Sequence, residues 1–221
     1  MRKMRFAGWI SGVAAAVVVA AGAITYAVAD GDDSGMKAPA ADSADAGFAR
    51  DMAVHHQQAV EMSYIVRDRT KNEEVRRLAY DIAQTQANQR GMMLGWLDLW
   101  ELPKVSAEEP MAWMDMSGMP SAGDGSLMPG MATTAQMESL GKLDGKAAEI
   151  RYLQLMYAHH MGGVHMAKGC VERCQVGVER RLAQGMVQAQ ESEMQLITDL
   201  LKKRGAKPEA RGRKPAPEPQ A

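Results

Sequence analysis

The chain has 221 residues, enough for one domain with tails, and its formal net charge of -1 gives no field that would attract nucleic acid. It is 46% hydrophobic but only 5% aromatic, and its abundant Ala, Leu, Met, Gln, Glu and Arg favour helices. The nineteen methionines are the outlying feature, because Met is ordinarily a scarce filler of cores.

The N-terminal segment is typical of an export signal. Arg2, Lys3 and Arg5 precede an apolar run at 7–29, and Ala27-Val28-Ala29 offers a cleavage site. The run is also long enough to span a bilayer, so residues 1–29 are either a cleaved signal peptide or a membrane anchor. Both alternatives place the remainder outside the cytoplasmic membrane, secreted or anchored to it by residues 7–29, because the positive charges stay inside.

Hydrophobic periodicity and turn residues divide the rest of the chain into an all-helical domain and flanking segments. Helices are predicted at 45–69, 73–101, 134–174 and 178–204. Gly141 and Gly145 are weak points of the third helix. The predicted organisation is a linker at 30–44, a four-helix domain at 45–203 with a Met-rich loop at 103–133, and a disordered tail at 204–221.

The two halves of the helical domain repeat when the chain is shifted by 104 residues, so that repeat one is 45–101 and repeat two is 134–203. Each repeat is one helical hairpin. Because a single hairpin cannot bury its apolar face, we expect the two to pack as a four-helix bundle. The shift superposes four chemically distinctive residues on their equivalents, namely Met52, His55, His56 and Met62 on Met156, His159, His160 and Met166.

The repeated Met and His residues share one face of the first and third helices, covering about a third of the circumference at roughly 100° per residue. A small residue, Ala59 or Gly163, lies between the two histidines, one turn on. Cys170 and Cys174 continue this face. As neighbours four residues apart, they are a local disulfide, a free thiol pair or a soft-metal pair.

The second and fourth helices carry polar residues among apolar ones. Gln89 and Glu193 occupy equivalent positions in the middle of the apolar faces, with Gln86 and Gln190 at the edges. Buried amides and carboxylates need partners, and a metal-binding imidazole commonly donates its second ring N–H to such a group. We therefore expect these four residues to support the histidines from behind, by hydrogen bonds.

Thioether, imidazole and thiolate groups are soft or borderline donors, which suit Cu(I) and Ag(I) rather than Mg, Ca or Mn. The Met-rich loop fits the same chemistry, because its Gly/Pro-rich sequence offers no packing role for its methionines. We expect it to act as a weaker capture arm for the metal. The candidates for additional metal ligands are Met93, Met111, Met114, Met116, Met119, Cys170 and Cys174.

The stretches FARDMAVHHQQAVEM (48–62) and RYLQLMYAHHMGGVHMAKGC (151–170) resemble the repeated signature of the domain-of-unknown-function 305 family. QANQRGMMLGWL (86–97) and QESEMQLITDLL (190–201) resemble its following helix. The resemblance implies an exported, ferritin-like four-helix bundle that binds copper, and also silver, for metal resistance or homeostasis. Gln89 stands where the family usually has Glu, and the cysteine pair is not part of the pattern. Carried over residue by residue, the resemblance implies as metal ligands Met52, His55, His56, Met62, Met156, His159, His160 and Met166.

The leading hypothesis is a binding protein that sequesters Cu(I), or hands it to a copper-handling protein, and that contacts the membrane only if the N-terminal segment is uncleaved. We do not expect an enzyme and assign no catalytic residues, because the sequence has no nucleophile motif and no Glu-x-x-His of a carboxylate di-metal oxidase. A copper-dependent redox enzyme is one alternative, because Met/His sites can cycle between Cu(I) and Cu(II). A metal-free structural or signalling bundle is the other.

Overall fold

The computed structural model describes residues 37–114 and 125–209, and within them the regular structure is entirely helical. The predicted all-α fold is thus confirmed, with four long helices and one short one. The signal or anchor segment, the far end of the tail, and Met116 and Met119 lie outside the described residues. In chain order the helices are α1 (Ala44–Arg69), α2 (Glu73–Leu99), α3 (Thr134–Lys142), α4 (Gly145–Arg173) and α5 (Gly177–Lys203).

The third predicted helix, 134–174, is two helices. The short helix α3 ends at Lys142, Leu143 and Asp144 are extended, and α4 begins at Gly145 with a φ of 54°. A positive φ costs glycine little because it has no Cβ. Gly145 therefore lets the chain change direction at one of the two weak points that the sequence showed.

Polar side chains fix the starts of three helices. Ser43 accepts a hydrogen bond from the Ala46 amide at 3.2 Å to begin α1, and Asn72 begins α2 in the same way. At α3, Thr133 and Gln136 form a reciprocal capping box. Each such cap satisfies a backbone N–H that has no partner inside the helix and contributes about 0.5–2 kcal/mol.

The two hairpins, α1–α2 and α4–α5, pack on each other through α1 and α4. A carboxylate near the start of each of these two helices binds the other hairpin. Asp45 accepts hydrogen bonds from the Gln175 and Val176 amides at 2.9 and 2.7 Å, just before α5. Since Asp45 lies in the first turn of α1 and its partners follow the end of α4, the two helices run antiparallel.

Glu149, which is related to Asp45 by the 104-residue repeat, makes the corresponding contact in the opposite direction. It accepts a hydrogen bond at 2.5 Å from the hydroxyl of Thr70, between α1 and α2, and pairs with Arg204 at 2.7 Å. Glu149 and Arg204 are only 7% and 9% exposed, so this ion pair is buried. Each hairpin turn is thus held by a carboxylate from the other hairpin.

The apolar core is divided into two clusters. The first, here called the methionine cluster, contains eight buried methionines together with Phe48, Leu97 and the two cysteines. The second cluster contains Ile82, Leu153 and Ile197 with Met62 and Met156. The methionines of the methionine cluster are Met52, Met93, Met111, Met114, Met128, Met131, Met166 and Met186.

Four of these methionines come from the Met-rich loop, so the prediction that its methionines have no packing role is wrong for them. Met111, Met114, Met128 and Met131 are all at most 8% exposed. Burying a Met side chain contributes about 1.5–3 kcal/mol, enough to hold the described ends of the loop against the bundle. None of the helices in the described part of the chain combines the length and the apolarity that a membrane span requires.

Candidate metal centre

A layer of polar side chains crosses the bundle between the two clusters. Along α1, Met52 belongs to the methionine cluster and Ala59 to the second cluster, and the two histidines lie between them. On α2, α4 and α5, too, polar residues lie between residues of the two clusters, and each long helix contributes two of them. This polar layer consists of His55, His56, Gln86, Gln89, His159, His160, Gln190 and Glu193.

His56 and His160, the outer histidines, each bond to a polar residue of their own hairpin. Nε2 of His56 lies 2.8 Å from Oε1 of Gln89, and Nε2 of His160 lies 2.6 Å from a carboxylate oxygen of Glu193. Both oxygens can only accept, so each imidazole donates from Nε2. In a neutral ring this assignment leaves Nδ1 unprotonated and free to bind a metal.

His55 and His159, the inner histidines, meet where the two hairpins touch. Their ring centroids are 3.8 Å apart, and the rings are tilted by 37°. Nε2 of His159 donates to the backbone carbonyl of His55 at 3.0 Å, which again leaves Nδ1 of His159 with a lone pair. The sequence did not show which histidine of each pair faces the other hairpin. The structure assigns this position to His55 and His159.

Burial keeps the imidazoles of His55, His56 and His159 neutral. Desolvation, followed by the positive charge of His56, lowers the pKa of His55 to about 3. Desolvation lowers the pKa of His56 to about 4, although the hydrogen bond that His56 donates to Gln89 raises it in part. Desolvation also lowers the pKa of His159 well below 6.5. At neutral pH each of these three rings therefore has one nitrogen with a free lone pair, as a metal ligand must.

The polar layer holds an unusual number of buried atoms without a partner. Nδ1 of all four histidines and Nε2 of His55 make no hydrogen bond within the described residues, and neither does the Gln86 side-chain amide. The Pro129 carbonyl is close enough to His55 to raise its pKa slightly, but it is not in hydrogen-bond geometry. Buried polar groups are nearly always paired, so such a concentration indicates a place for water or an ion.

The predicted methionine ligands flank the polar layer on both sides. Met52 and Met166 lie on the side of the methionine cluster, and Met62 and Met156 lie on the side of the second cluster. All four are fully buried. Each side of the layer therefore receives one thioether from α1 and one from α4. Met93, an additional candidate, is also fully buried in the methionine cluster.

The glutamines are arranged differently from the prediction. Gln86 and Gln190, expected at the edges, are only 2% and 3% exposed, whereas the side chain of Glu193, expected in the middle, is 24% exposed. Gln89 is also partly exposed. The expected hydrogen bonds to imidazole are made by Gln89 and Glu193 alone. The Gln190 amide instead contacts Gly163, where any Cβ would overlap it.

The second half of the Met-rich loop covers the seam between α1 and α4 beside the polar layer. Both side-chain amide atoms of Gln58 bond to the backbone of Ala132, at 2.8 and 2.7 Å. The Pro129 carbonyl lies against Gly162, where a Cβ would overlap it. Sequence reasoning missed these contacts; the signal that could have indicated them is the pair Gly162-Gly163, two adjacent residues without side chains in the middle of a helix.

The first half of the same loop is fixed by Asp51. Its carboxylate accepts hydrogen bonds from the Met111 amide at 2.7 Å and from the indole N–H of Trp113 at 2.8 Å. Trp113 packs edge-on against Phe48, with ring centroids 5.8 Å apart. Met111 and Met114 are consequently core residues rather than an exposed capture arm. Met116 and Met119 remain predictions, because they lie outside the described residues.

Cys170 and Cys174 are joined by a disulfide, with their Cα atoms 4.8 Å apart. The three alternatives left open by the sequence are thereby reduced to one, and the pair offers no thiolate to a metal in this state. Glu179, which sequence reasoning missed, lies beside the disulfide. Burial, followed by the charge of Asp45, raises the pKa of Glu179 to about 9.

One place within the described residues brings together His, Cys, Asp or Glu ligand atoms from three residues within 4.8 Å of one another. It is formed by Cys170, Cys174 and Glu179, and not by the histidines of the polar layer. Imidazoles alone therefore do not make a ready three-ligand site in the layer. A metal held there needs thioether sulfur as well, or a small movement of the rings.

These features define the class of the protein as a four-helix bundle made of two hairpins with a buried histidine layer. The chain belongs to the family described as Domain of unknown function (DUF305), whose model matches residues 45–201. The resemblance of its repeated Met and His motifs to that family is thus confirmed. No curated protein matches the chain.

Several solved structures share the fold. A DUF305 protein from Streptomyces coelicolor, whose name provisionally classes it as secreted, is 74% identical with a TM-score of 0.71, over 77% of this chain and 99% of that one. A DUF305 fragment from Deinococcus radiodurans is 29% identical with a TM-score of 0.60, over 72% of this chain and 96% of that one. CopM in its Cu(I)-bound form is 18% identical with a TM-score of 0.55, over 72% of this chain and 96% of that one.

Proposed function

We propose that this protein binds Cu(I), and its chemical analogue Ag(I), in and beside the polar layer. The observation that carries the proposal is the set of four fully buried histidines with unpartnered Nδ1 atoms, flanked by four fully buried methionines on the same two helices. Neutral imidazole and thioether form a donor set for a soft monovalent cation, whereas hard cations prefer several charged oxygens, and Glu193 is the one carboxylate among the eight residues of the layer.

We assign three roles to the residues in and beside the layer: metal ligation, hydrogen bonding to the imidazoles and exclusion of water. Nδ1 of the histidines and the sulfurs of Met52, Met62, Met156 and Met166 would provide the ligands. Gln89 and Glu193 would hold the rings of the outer histidines through Nε2, in the manner of outer-sphere carboxylates and amides. The described ends of the loop would keep water away from the bound ion.

The comparisons support the choice of metal to test first. CopM structures with Cu(I), Ag and Cu(II) share the fold of this chain at 16–18% identity. An identity this low supports a common fold rather than common ligands, so the metal assignment rests on the donor atoms found here. The relative named as secreted and the signal-like sequence at 1–29 support a location outside the cytoplasmic membrane.

We place the protein among binding proteins rather than enzymes. The proposed donors are enclosed by the two apolar clusters, which favours sequestration, or transfer to a copper-handling protein, over turnover of a substrate. The alternative of a copper-dependent redox enzyme predicts catalytic consumption of an oxidant by the copper-loaded chain. A binding protein consumes at most one equivalent of oxidant for each bound Cu(I).

The test is a titration of the purified full chain with Cu(I) in the absence of oxygen, against a chromophoric Cu(I) chelator. We expect tight uptake by the wild-type chain and its loss when the four layer histidines are changed to Ala. His165→Ala is the matched control, because His165 lies on α4 outside the polar layer. No competitive uptake by the wild type would refute the function, and unchanged uptake by the fourfold variant would refute the site.

Thioether ligation is tested in the same assay. Met52→Leu with Met166→Leu removes the sulfurs on one side of the layer, and Met62→Leu with Met156→Leu removes those on the other. Leu conserves volume, so each pair should reduce Cu(I) affinity without unfolding the bundle. Met92→Leu with Met161→Leu is the control, because these methionines are 42% and 40% exposed. A stoichiometry that falls by half in one pair only would indicate two separate sites.

A further inference from the structure

A second cluster of ligand atoms lies at the end of α4, away from the polar layer. The sulfurs of Cys170 and Cys174 and a carboxylate oxygen of Glu179 all lie within 4.8 Å of one another. All three residues are 0% exposed. Cys170 follows His160 by ten residues, which is about 15 Å along a helix, and it follows Met166, the nearest proposed copper ligand on α4, by one turn. The cluster shares no ligand with the proposed copper site.

Glu179 has no conventional partner in this position. Neither of its carboxylate oxygens accepts a hydrogen bond, and no ion pair among the described residues involves it. The group facing it is the carboxylate of Asp45, which already accepts the backbone amides of Gln175 and Val176. With its pKa raised to about 9, Glu179 keeps a proton beside the Asp45 carboxylate at neutral pH, and that proton occupies the place that a cation would take. The two unsatisfied oxygens of this buried group are an observation independent of the cysteine pair.

We propose that Cys170, Cys174 and Glu179 form a site for a zinc-class divalent cation that is closed by the disulfide and opened by its reduction. Two thiolates and a carboxylate are the donors that Zn²⁺ accepts in a tetrahedral site, with Asp45 or water available for the fourth position. Cu(I) has little affinity for carboxylate oxygen, so this donor set selects a different metal from that of the polar layer.

The opening step needs a reductant, and a dithiol supplies it. The dithiol gives two electrons and two protons to the disulfide, the S–S bond breaks, and Cys170 and Cys174 become thiols while the reductant becomes a disulfide. The cation then displaces three protons to solvent, two from the thiols and one from the Glu179 carboxyl group, whose pKa is about 9. The two sulfurs must separate to about 3.8 Å, the span set by two Zn–S bonds of about 2.3 Å in a tetrahedral site.

The probe is Cd²⁺, whose bonds to thiolate absorb in the ultraviolet. The full chain is reduced with dithiothreitol, freed of reductant without oxygen, and titrated with Cd²⁺, and Zn²⁺ is then added as a competitor. We expect one equivalent bound after reduction, with displacement by Zn²⁺, and none bound before reduction. A reduced chain that takes up no Cd²⁺, or that loses its helical circular dichroism on reduction, would overturn the proposal.

Glu179→Gln separates a three-ligand site from a pair of free thiols. It keeps the size of the side chain and should weaken Cd²⁺ binding by more than about tenfold, the lower end of what losing even an outer-sphere partner costs. Glu172→Gln is the control, since its side chain is 71% exposed two residues before Cys174. Equal affinity in these two variants would exclude Glu179 as a ligand. The fourfold histidine variant should retain Cd²⁺ uptake, so this proposal and the copper proposal fail independently.

Discussion

The imidazole of His159 packs on the imidazole of His55 with ring centroids 3.8 Å apart. It also donates its Nε2 hydrogen to the backbone carbonyl of His55. The two residues are equivalent in the 104-residue repeat, so the contact joins the same position of the two hairpins. It joins the hairpins while leaving three of the four ring nitrogens without a partner.

His55→Leu is predicted to separate stability from metal binding. Neither ring nitrogen of His55 is hydrogen-bonded within the described residues, and replacing an unsatisfied buried polar group by an apolar one is neutral or stabilising. The metal-free variant should therefore unfold at the same or a higher urea concentration than the wild type, while Cu(I) affinity falls. Met93→Ala should instead lose about 2–5 kcal/mol by leaving a cavity. A large loss of stability in His55→Leu would show that its nitrogens have partners in solution.

The metal-free chain is predicted to lose stability as the pH falls below 6.5. Burial lowers the pKa of His55 to about 3 and that of His56 to about 4, so the unfolded chain binds more protons than the folded chain between those values and 6.5. The histidine contribution is present in full above pH 6.5 and is lost toward pH 3–4, at about 1.4 kcal/mol for each pKa unit.

Urea midpoints measured at several values of pH between 7.5 and 4 test this dependence. A variant with both His55 and His56 changed to Leu should show a shallower loss of stability, and His165→Ala should follow the wild type. Parallel pH profiles for all three chains would mean that the buried imidazoles are not responsible for the acid sensitivity.

Three Gly→Ala substitutions are predicted to differ in their effect on stability, according to the atoms that each new methyl group contacts. At Gly162 it meets the backbone of Pro129, which cannot move without lifting the loop, so Gly162→Ala should cost about 1–3 kcal/mol. At Gly163 it meets the side-chain amide of Gln190, which can rotate, so the cost is smaller. At Gly185, inside α5, it meets nothing, and the variant should gain about 0.5–1 kcal/mol.

Thermal unfolding of the three glycine variants tests the order, and limited proteolysis tests its cause. Gly162→Ala should also expose the loop at 103–133 to cleavage, whereas Gly185→Ala should not. If Gly163→Ala proved the more damaging of the neighbouring pair, the close approach of Pro129 to α4 would be wrong.

Glu149→Gln is predicted to be among the most destabilising conservative changes in the chain. It leaves the Arg204 guanidinium, which is 9% exposed, without its counter-charge, and breaking a buried pair by removing one partner costs about 3–5 kcal/mol. Asp45→Asn should cost less, since an amide oxygen can still accept the Gln175 and Val176 amides. The measurement is the free energy of unfolding in urea, with Glu172→Gln as an exposed control.

The helices and the polar layer were accessible from the sequence because both follow local rules. The 3.6-residue period predicts the helices, and the 104-residue repeat identifies His55 and His159 as equivalents. Their placement within the layer was harder to predict. Gln86 and Gln89 differ by about 60° around their helix, and a helical wheel does not give the rotation of the helix in its bundle to that accuracy.

The packing of the Met-rich loop was not accessible, because it depends on residues far away in the chain. Met111 is held by Asp51, and Ala132 is held by Gln58. The described ends of the loop, 103–114 and 125–133, have no regular secondary structure, as composition indicated. Burial of their methionines follows from these long-range contacts. The same reason applies to Glu179, whose distance from the disulfide is set by the turn between α4 and α5.

The exchange of carboxylates between the hairpins has a consequence for a chain cut within the loop at 103–133. The contacts of Glu149 with Thr70 and of Asp45 with Val176 each join one fragment to the other. A fragment by itself would therefore lack the carboxylate that holds its turn. Each fragment therefore needs the other to complete its turn contacts. Expressed as separate polypeptides, 37–103 and 125–209 should remain largely unfolded alone and regain helix on mixing, as complementing halves of one domain.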